Sequence, residues 1–210
     1  MQYYKITVYP FDENTYVLYD EKTSSAAVID PGGGEKQIES FLTEKKLRLK
    51  YIILTHAHAD HIAALPALVK KYKVPAVLHT KEKKVFCDNT LNLTARFGID
   101  MQNIQDEVRI VEVTDGEKMD LGGKELKFIY TPGHTRGSMC VLADNYLFTG
   151  DTLFAGSIGR TDLPTGNYDE MTESLAKLKK MDGDLVILSG HSEETTLSQE
   201  IRYNPFLQGM

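Results

Sequence analysis

Thr55-His56-Ala57-His58-Ala59-Asp60-His61 crowds three imidazoles and a carboxylate into positions 56–61. Packing gives no reason for that crowding. Protonated, the rings would repel one another; buried without partners, each would cost free energy. Imidazole and carboxylate are the donor set for Zn²⁺ or iron. His56 and His58 are two apart, so in extended backbone they point to the same side. Asp60 is expected to continue that alternation before a helix begins at His61. Residues 51–54, just upstream, form a short apolar run that reads as a buried strand. Donors at the end of such a strand project onto one rim of its sheet, where sites tend to sit, and the alternation of strands and helices along the chain predicts a two-layer α/β domain.

Further donors stand in equivalent places. Pro132-Gly133-His134-Thr135 and Ser189-Gly190-His191-Ser192 each put a histidine after a glycine at the end of an apolar strand, and Phe148-Thr149-Gly150-Asp151 does the same with an acid. Five histidines and two aspartates are more than one tetrahedral zinc can use, so two ions sharing a carboxylate are expected. The sixth histidine, His79, has no such neighbours and reads as a hydrogen-bonded polar residue.

The rest of the chain supports one domain. It has 210 residues, against a prior of about 150 per domain. Hydrophobic residues make up 41% and charged residues 26%, which excludes a disordered or fibrous chain. β-branched and aromatic runs at 6–9, 15–19 and 25–29 predict strands, with Pro10, Asp12 and Asn14 as turn residues between the first two. Helical spacing predicts helices at 35–46, 61–72 and 169–180 and a short one at 196–203; further strands are expected at 75–78, 108–113, 124–130, 139–143, 146–148 and 185–188. The segment 85–106 reads as a helix plus a loop. A net charge of −6 argues against a nucleic-acid partner. No apolar run reaches the ~20 residues of a membrane span, and the first residues do not resemble a signal peptide. Cys87 and Cys140 form no CxxC pair or disulfide framework, and Cys140 reads as core. A cytoplasmic protein acting on a small molecule is the expectation; oligomeric state is not legible.

THAHADH, PGHT, TGD and SGH, in that order, resemble the metallo-β-lactamase fold superfamily over essentially the whole chain. Asp151-Thr152-Leu153-Phe154-Ala155-Gly156-Ser157-Ile158-Gly159-Arg160-Thr161-Asp162 and the tail Asn204-Pro205-Phe206 are similar to its glyoxalase II-like branch of short single-domain hydrolases. The resemblance implies an α/β fold, an αββα four-layer sandwich over residues 1–210, with metals at one edge. It implies His56, His58 and His134 for one ion, Asp60, His61 and His191 for a second, and Asp151 bridging both. Two divalent ions are expected, zinc foremost, with iron or manganese as alternatives. Water held between two cations loses a proton near neutral pH, and the hydroxide attacks a carbonyl. A thiolate leaves readily, so a thioester suits such a site. Asp60 would bind metal and orient the hydroxide, a catalytic role. Asp30 and Thr55 are candidates for holding a ligand imidazole in place; turn initiation before Pro31 and strand termination are equal readings of them.

In glyoxalase II a basic residue nine positions after the bridging aspartate contacts the glutathione carboxylate, and here that residue is Arg160. Two residues on, where the family often has an aromatic side chain, stands Asp162. Only residues 192–210 follow His191, too few for the family's C-terminal helical domain, and Ile62-Ala63-Ala64 replaces glycines of many relatives. A small thioester, S-lactoylglutathione or another thiol conjugate, is the expected substrate. One rival is a persulfide dioxygenase using a single iron; another is a non-catalytic metal-binding module. A β-lactamase, a flavodiiron oxygen reductase and a nuclease fit the motifs less well.

Overall fold

The computed structural model describes residues 1–99, 101 and 107–208. Strands β1 (Gln2–Val8), β2 (Glu13–Asp20), β3 (Ser25–Ile29), β4 (Arg48–Ile53), β5 (Ala76–His79) and β6 (Ile110–Val113) form one sheet in sequence order. A second sheet has the order β14-β13-β10-β9-β8-β7, from β7 (Lys118–Leu121), β8 (Lys124–Tyr130), β9 (Met139–Ala143), β10 (Tyr146–Gly150), β13 (Val186–Ser189) and β14 (Thr195–Thr196). β11 (Leu153–Phe154) and β12 (Ser157–Ile158) pair as a small hairpin.

Strand alternation builds the layers. From the first sheet, Tyr16, Leu18, Ala27, Ile29, Ile53 and Val77 pack against Leu126, Phe128, Met139, Val141, Phe148 and Leu188 of the second. The intervening residues Val17, Val28 and Ile52 face outward onto α1 (Glu35–Glu44) and α3 (Leu65–Tyr72), through Ile38, Leu42, Leu65 and Leu68. On the far side, Ile129, Cys140, Leu147 and Ile187 meet Met171, Leu175 and Leu178 of α6 (Tyr168–Leu178). Helices, two sheets and helices make the expected αββα sandwich. Helix α6 starts where Asn167 accepts from the backbone N–H groups of Asp169 and Glu170.

Several elements differ from expectation. The helix foreseen over 61–72 is two: α2 (Ala59–Ile62) and α3. Pro66 lies in the first turn of α3 and has no N–H for the carbonyl of Ile62, so the helix cannot run through. Because α2 starts at Ala59, Asp60 sits in a helical turn and does not continue the extended alternation. β7, β14 and the β11–β12 hairpin were not expected. Within the segment 85–106, α4 (Lys83–Phe86) reaches into its start and α5 (Thr94–Phe97) follows; residues 100 and 102–106 lie outside the described residues. Asn14 is no turn residue: it is buried near the start of β2.

Among the described residues no helix is long and apolar enough to cross a membrane. Phe128 is fully buried where the two sheets meet. Phe128→Ala should cost about 3–5 kcal/mol, read as a lower urea midpoint at constant m-value. A loss below about 1 kcal/mol would mean that this contact does not hold the sheets together.

Candidate metal centre

β3 and β4 run parallel, as do β10 and β13. Their C-terminal ends therefore lie along one edge of the sandwich. Asp30 follows β3, Thr55 to His61 follow β4, Asp151 follows β10 and His191 follows β13. His134 comes from the loop between β8 and β9. The two sheets are tied at this edge by backbone bonds: Met139 N–H donates to Thr55 O at 2.9 Å and Asn14 N–H to Gly190 O at 2.7 Å. A side chain at Gly190 would place its Cβ 2.5 Å from Asp151 Oδ1, so the strand-end glycine makes room for the neighbouring donor.

All seven expected donors meet here. Potential ligand atoms of His56, His58 and His134 lie within 4.8 Å of one another, as do those of Asp60, His61 and His191. Asp151 sits between the groups, with Oδ2 3.4 Å from His134 Nε2 and Oδ1 3.4 Å from His61 Nε2 and 3.9 Å from His191 Nε2. His191 Nε2 is 3.2 Å from Asp60 Oδ2. His79 lies apart, stacked on Tyr130 and accepting from Lys81 N–H.

Hydrogen bonds outside the cluster set the tautomers. Asp30 accepts from Thr55 twice, at Oδ1 from the N–H (2.7 Å) and at Oδ2 from the hydroxyl (2.6 Å). With its proton so committed, Thr55 Oγ1 is left as an acceptor for His56 Nδ1, 3.2 Å away. Asp30 Oδ2 also lies 3.1 Å from His61 Nδ1. His134 Nδ1 donates to the carbonyl of Arg160 at 2.7 Å. The Thr55 and Arg160 contacts hold a proton on Nδ1 of His56 and His134 and leave their Nε2 bare. Asp30 and Thr55 thus stand beside imidazoles of the cluster, and Arg160 meets it through its backbone carbonyl.

Of the inward atoms, His134 Nε2 has His58 Nδ1 at 2.8 Å, and others have nothing to bond. His56 Nε2, His58 Nε2, His61 Nε2 and Asp151 Oδ1 are buried without a hydrogen-bond partner. Buried polar groups are normally satisfied. Orphaned lone pairs on converging imidazoles and a carboxylate fit a bound cation.

The charge pattern agrees. Burial, then the neighbouring rings, pushes His56 well below the usual histidine range, and burial with His134 brings His58 to about 3. His134 is lowered chiefly by burial. All three offer neutral nitrogens. Burial opposes the charge on Asp151 and Asp60, but adjacent histidines outweigh it, and both carboxyls fall below the usual range. His61 and His191 move up despite burial, because Asp151 and Asp60 face them. The neutral trio and the anionic carboxylates beside it form a divalent-cation donor set.

A cleft of about 400 Å³ opens onto this cluster. Phe11, Leu93, Phe97, Phe154, Ile158 and Leu163 line it, with Arg160 and five of the donors, all but His56 and His61. The Arg160 guanidinium is already engaged by Asp162, Nε to Oδ1 at 2.6 Å and Nη2 to Oδ2 at 2.7 Å.

Two further residues escaped the sequence reading. Glu82 is fully buried; its carboxylate accepts from Ala57 N–H and Thr135 Oγ1–H, both at 2.8 Å. Burial carries its carboxyl up to about 7 against those bonds. Asn14 Nδ2 donates to the carbonyls of Ser189 and Ser192 at 3.1 and 2.9 Å, flanking His191. Neither had a signal: Glu82 sits in the charged run Thr80-Lys81-Glu82-Lys83-Lys84, and Asn14 follows a proline and an aspartate.

The metallo-beta-lactamase superfamily model matches residues 8–191. Hydroxyacylglutathione hydrolase GloC of Haemophilus influenzae is 34% identical over 205 residues, 96% of each chain. Among solved structures, BLEG-1 B3 metallo-beta-lactamase superposes with a TM-score of 0.87 at 33% identity, covering 99% of this chain and 100% of that one. TTHA1623 in a di-iron-bound form gives a TM-score of 0.84 at 29% identity, covering 97% and 100%. Fold, donor cluster and sequence similarity converge: the chain belongs to the metallo-beta-lactamase superfamily.

Proposed function

We propose that this chain is a metal-dependent thioester hydrolase acting on a small thiol conjugate such as S-lactoylglutathione. The observation that carries the reading is the set of buried, unpartnered nitrogen and oxygen atoms converging beneath an open cleft. In this reading His56, His58 and His134 hold one divalent ion, Asp60, His61 and His191 a second, and Asp151 serves both. Such ions supply Lewis acidity and a water deprotonated near neutral pH. Zinc is the first expectation, and the same donors accept iron or manganese; the di-iron form of a structural neighbour supports a two-ion reading.

The chain's own groups do the positioning. Thr55 and the Arg160 carbonyl keep Nε2 of His56 and His134 unprotonated, and Asp30 lies 3.1 Å from His61 Nδ1. Asp60, in the first turn of α2 and beside His191, orients the attacking water. Apart from the proposed ligands, no acid or imidazole lines the cleft among the described residues. A leaving group that needs no proton therefore suits it, and a thiolate is one. The apolar wall excludes bulk water and seats the carbon skeleton of the conjugate. The GloC relative supports the choice of a thioester. The proposed setting is the cytoplasm.

The reading is tested by elemental analysis of the purified protein together with turnover of thioester, ester and β-lactam probes, with and without chelator. Metal-dependent thioester cleavage is the expected result. One iron per chain with oxygen uptake on a persulfide would replace this reading with a dioxygenase, and β-lactam turnover alone with a lactamase. No turnover after zinc, iron or manganese loading would leave a binding module.

His134→Ala should lose the ion of its own half and Asp151→Ala should weaken both, and each should lose turnover. Full activity in either variant would contradict the shared-carboxylate assignment. Arg160→Ala keeps the backbone carbonyl that orients His134 and removes only the guanidinium. It should raise KM more than it lowers kcat; an unchanged KM would take the side chain out of substrate binding.

A further inference from the structure

We propose that Glu82 is a positioning residue for one half of the metal cage, the trio His56, His58 and His134, and has no hold on the other half. The inference rests on the ligand assignment proposed above. Glu82 ends a short 3-10 turn, Thr80–Glu82, that leaves β5 of the first sheet. One carboxylate oxygen accepts from Ala57 N–H, between His56 and His58. The other accepts from the hydroxyl of Thr135, next to His134. The N–H of Gly137, further along the His134 loop, also bonds to this carboxylate. Gly137 packs so close to the Glu82 backbone that any Cβ there would collide with it. The three donors come from two loops that leave different sheets. A single buried carboxyl group therefore fixes the distance between the backbones carrying the trio.

The second half of the cage is held by other groups. Asn14 donates to Ser189 and Ser192 around His191, and Tyr16 Oη–H donates to Ser189 O at 2.8 Å. His61 lies against Asp30, and none of these contacts involves Glu82. A general stabiliser of the fold would affect both halves alike. A clamp on one pair of loops would not. That difference makes the proposal testable without a substrate.

In Glu82→Gln an amide nitrogen replaces an oxygen and faces a donor, and the charge that strengthens the remaining bonds is gone. The measurement is zinc affinity of the metal-free protein, by competition with a chromophoric chelator, in two parents that each keep one half. In His191→Ala, which retains the trio, Glu82→Gln should weaken zinc binding by about 10–100-fold, the range for lost outer partners of ligands. In His134→Ala, which retains Asp60 and His61, the same change should alter zinc affinity by less than about threefold, an ordinary error of additivity. Urea unfolding of the metal-free proteins reports loss of fold separately. If Glu82→Gln does not fold, Thr135→Val removes one of the three bonds and should show the same selectivity, reduced in size. Equal weakening in both parents, or none in His191→Ala, overturns the proposal. A wild-type protein that binds no ion overturns the ligand assignment, and the inference with it.

Discussion

The double hydrogen bond from Thr55 to Asp30 is the contact on which the site depends. It is formed between the ends of adjacent parallel strands β3 and β4, so the sheet register itself brings the two residues together. It uses the hydroxyl proton of Thr55 and thereby decides which nitrogen of His56 carries a proton. The same carboxylate reaches His61. One acid thus bears on a ring in each half of the cluster, on His56 through Thr55 and on His61 directly.

Burying so many polar groups at one edge of the sandwich has a cost, and the fold meets it from outside the cluster. The carbonyl of Arg160 serves His134, Asn14 serves the His191 loop, and Glu82 serves the loops of His56, His58 and His134. Backbone bonds between the sheets lie at this same edge. What these groups do not satisfy are the inward atoms, whose lone pairs all face one space. That division, satisfied outside and unsatisfied inside, distinguishes a metal cage from a hydrogen-bonded polar core.

The donors were legible because their chemistry is unmistakable: Thr55-His56-Ala57-His58-Ala59-Asp60-His61 has no packing explanation, and His134, Asp151 and His191 repeat one strand–glycine–donor plan. The strand at Tyr16, Val17 and Leu18 was legible from its β-branched and aromatic residues, whereas the four layers came from the family resemblance and the alternation of these residues between two cores shows only in the fold. What stayed hidden depends on contacts across the chain. Glu82 sits among lysines and reads as solvated surface, yet its partners Ala57 and Thr135 lie 25 and 53 positions away. Asn14 follows turn residues, but its bonds are to the far end of the chain. The break between α2 and α3 was in plain view at Pro66, and apolar spacing across it outweighed the proline. Arg160 was found by position, whereas its engagement by Asp162 and the use of its carbonyl depend on the folded loop.

The central claim is that seven side chains form a cage for two cations. Anomalous diffraction from crystals of the zinc-loaded protein, recorded on either side of the zinc absorption edge, tests it directly. The account predicts two peaks about 3.5–4 Å apart, one against His56, His58 and His134, the other against Asp60, His61 and His191, with Asp151 between them. No peak at this edge of the sandwich, or a single one held without Asp151, would contradict it.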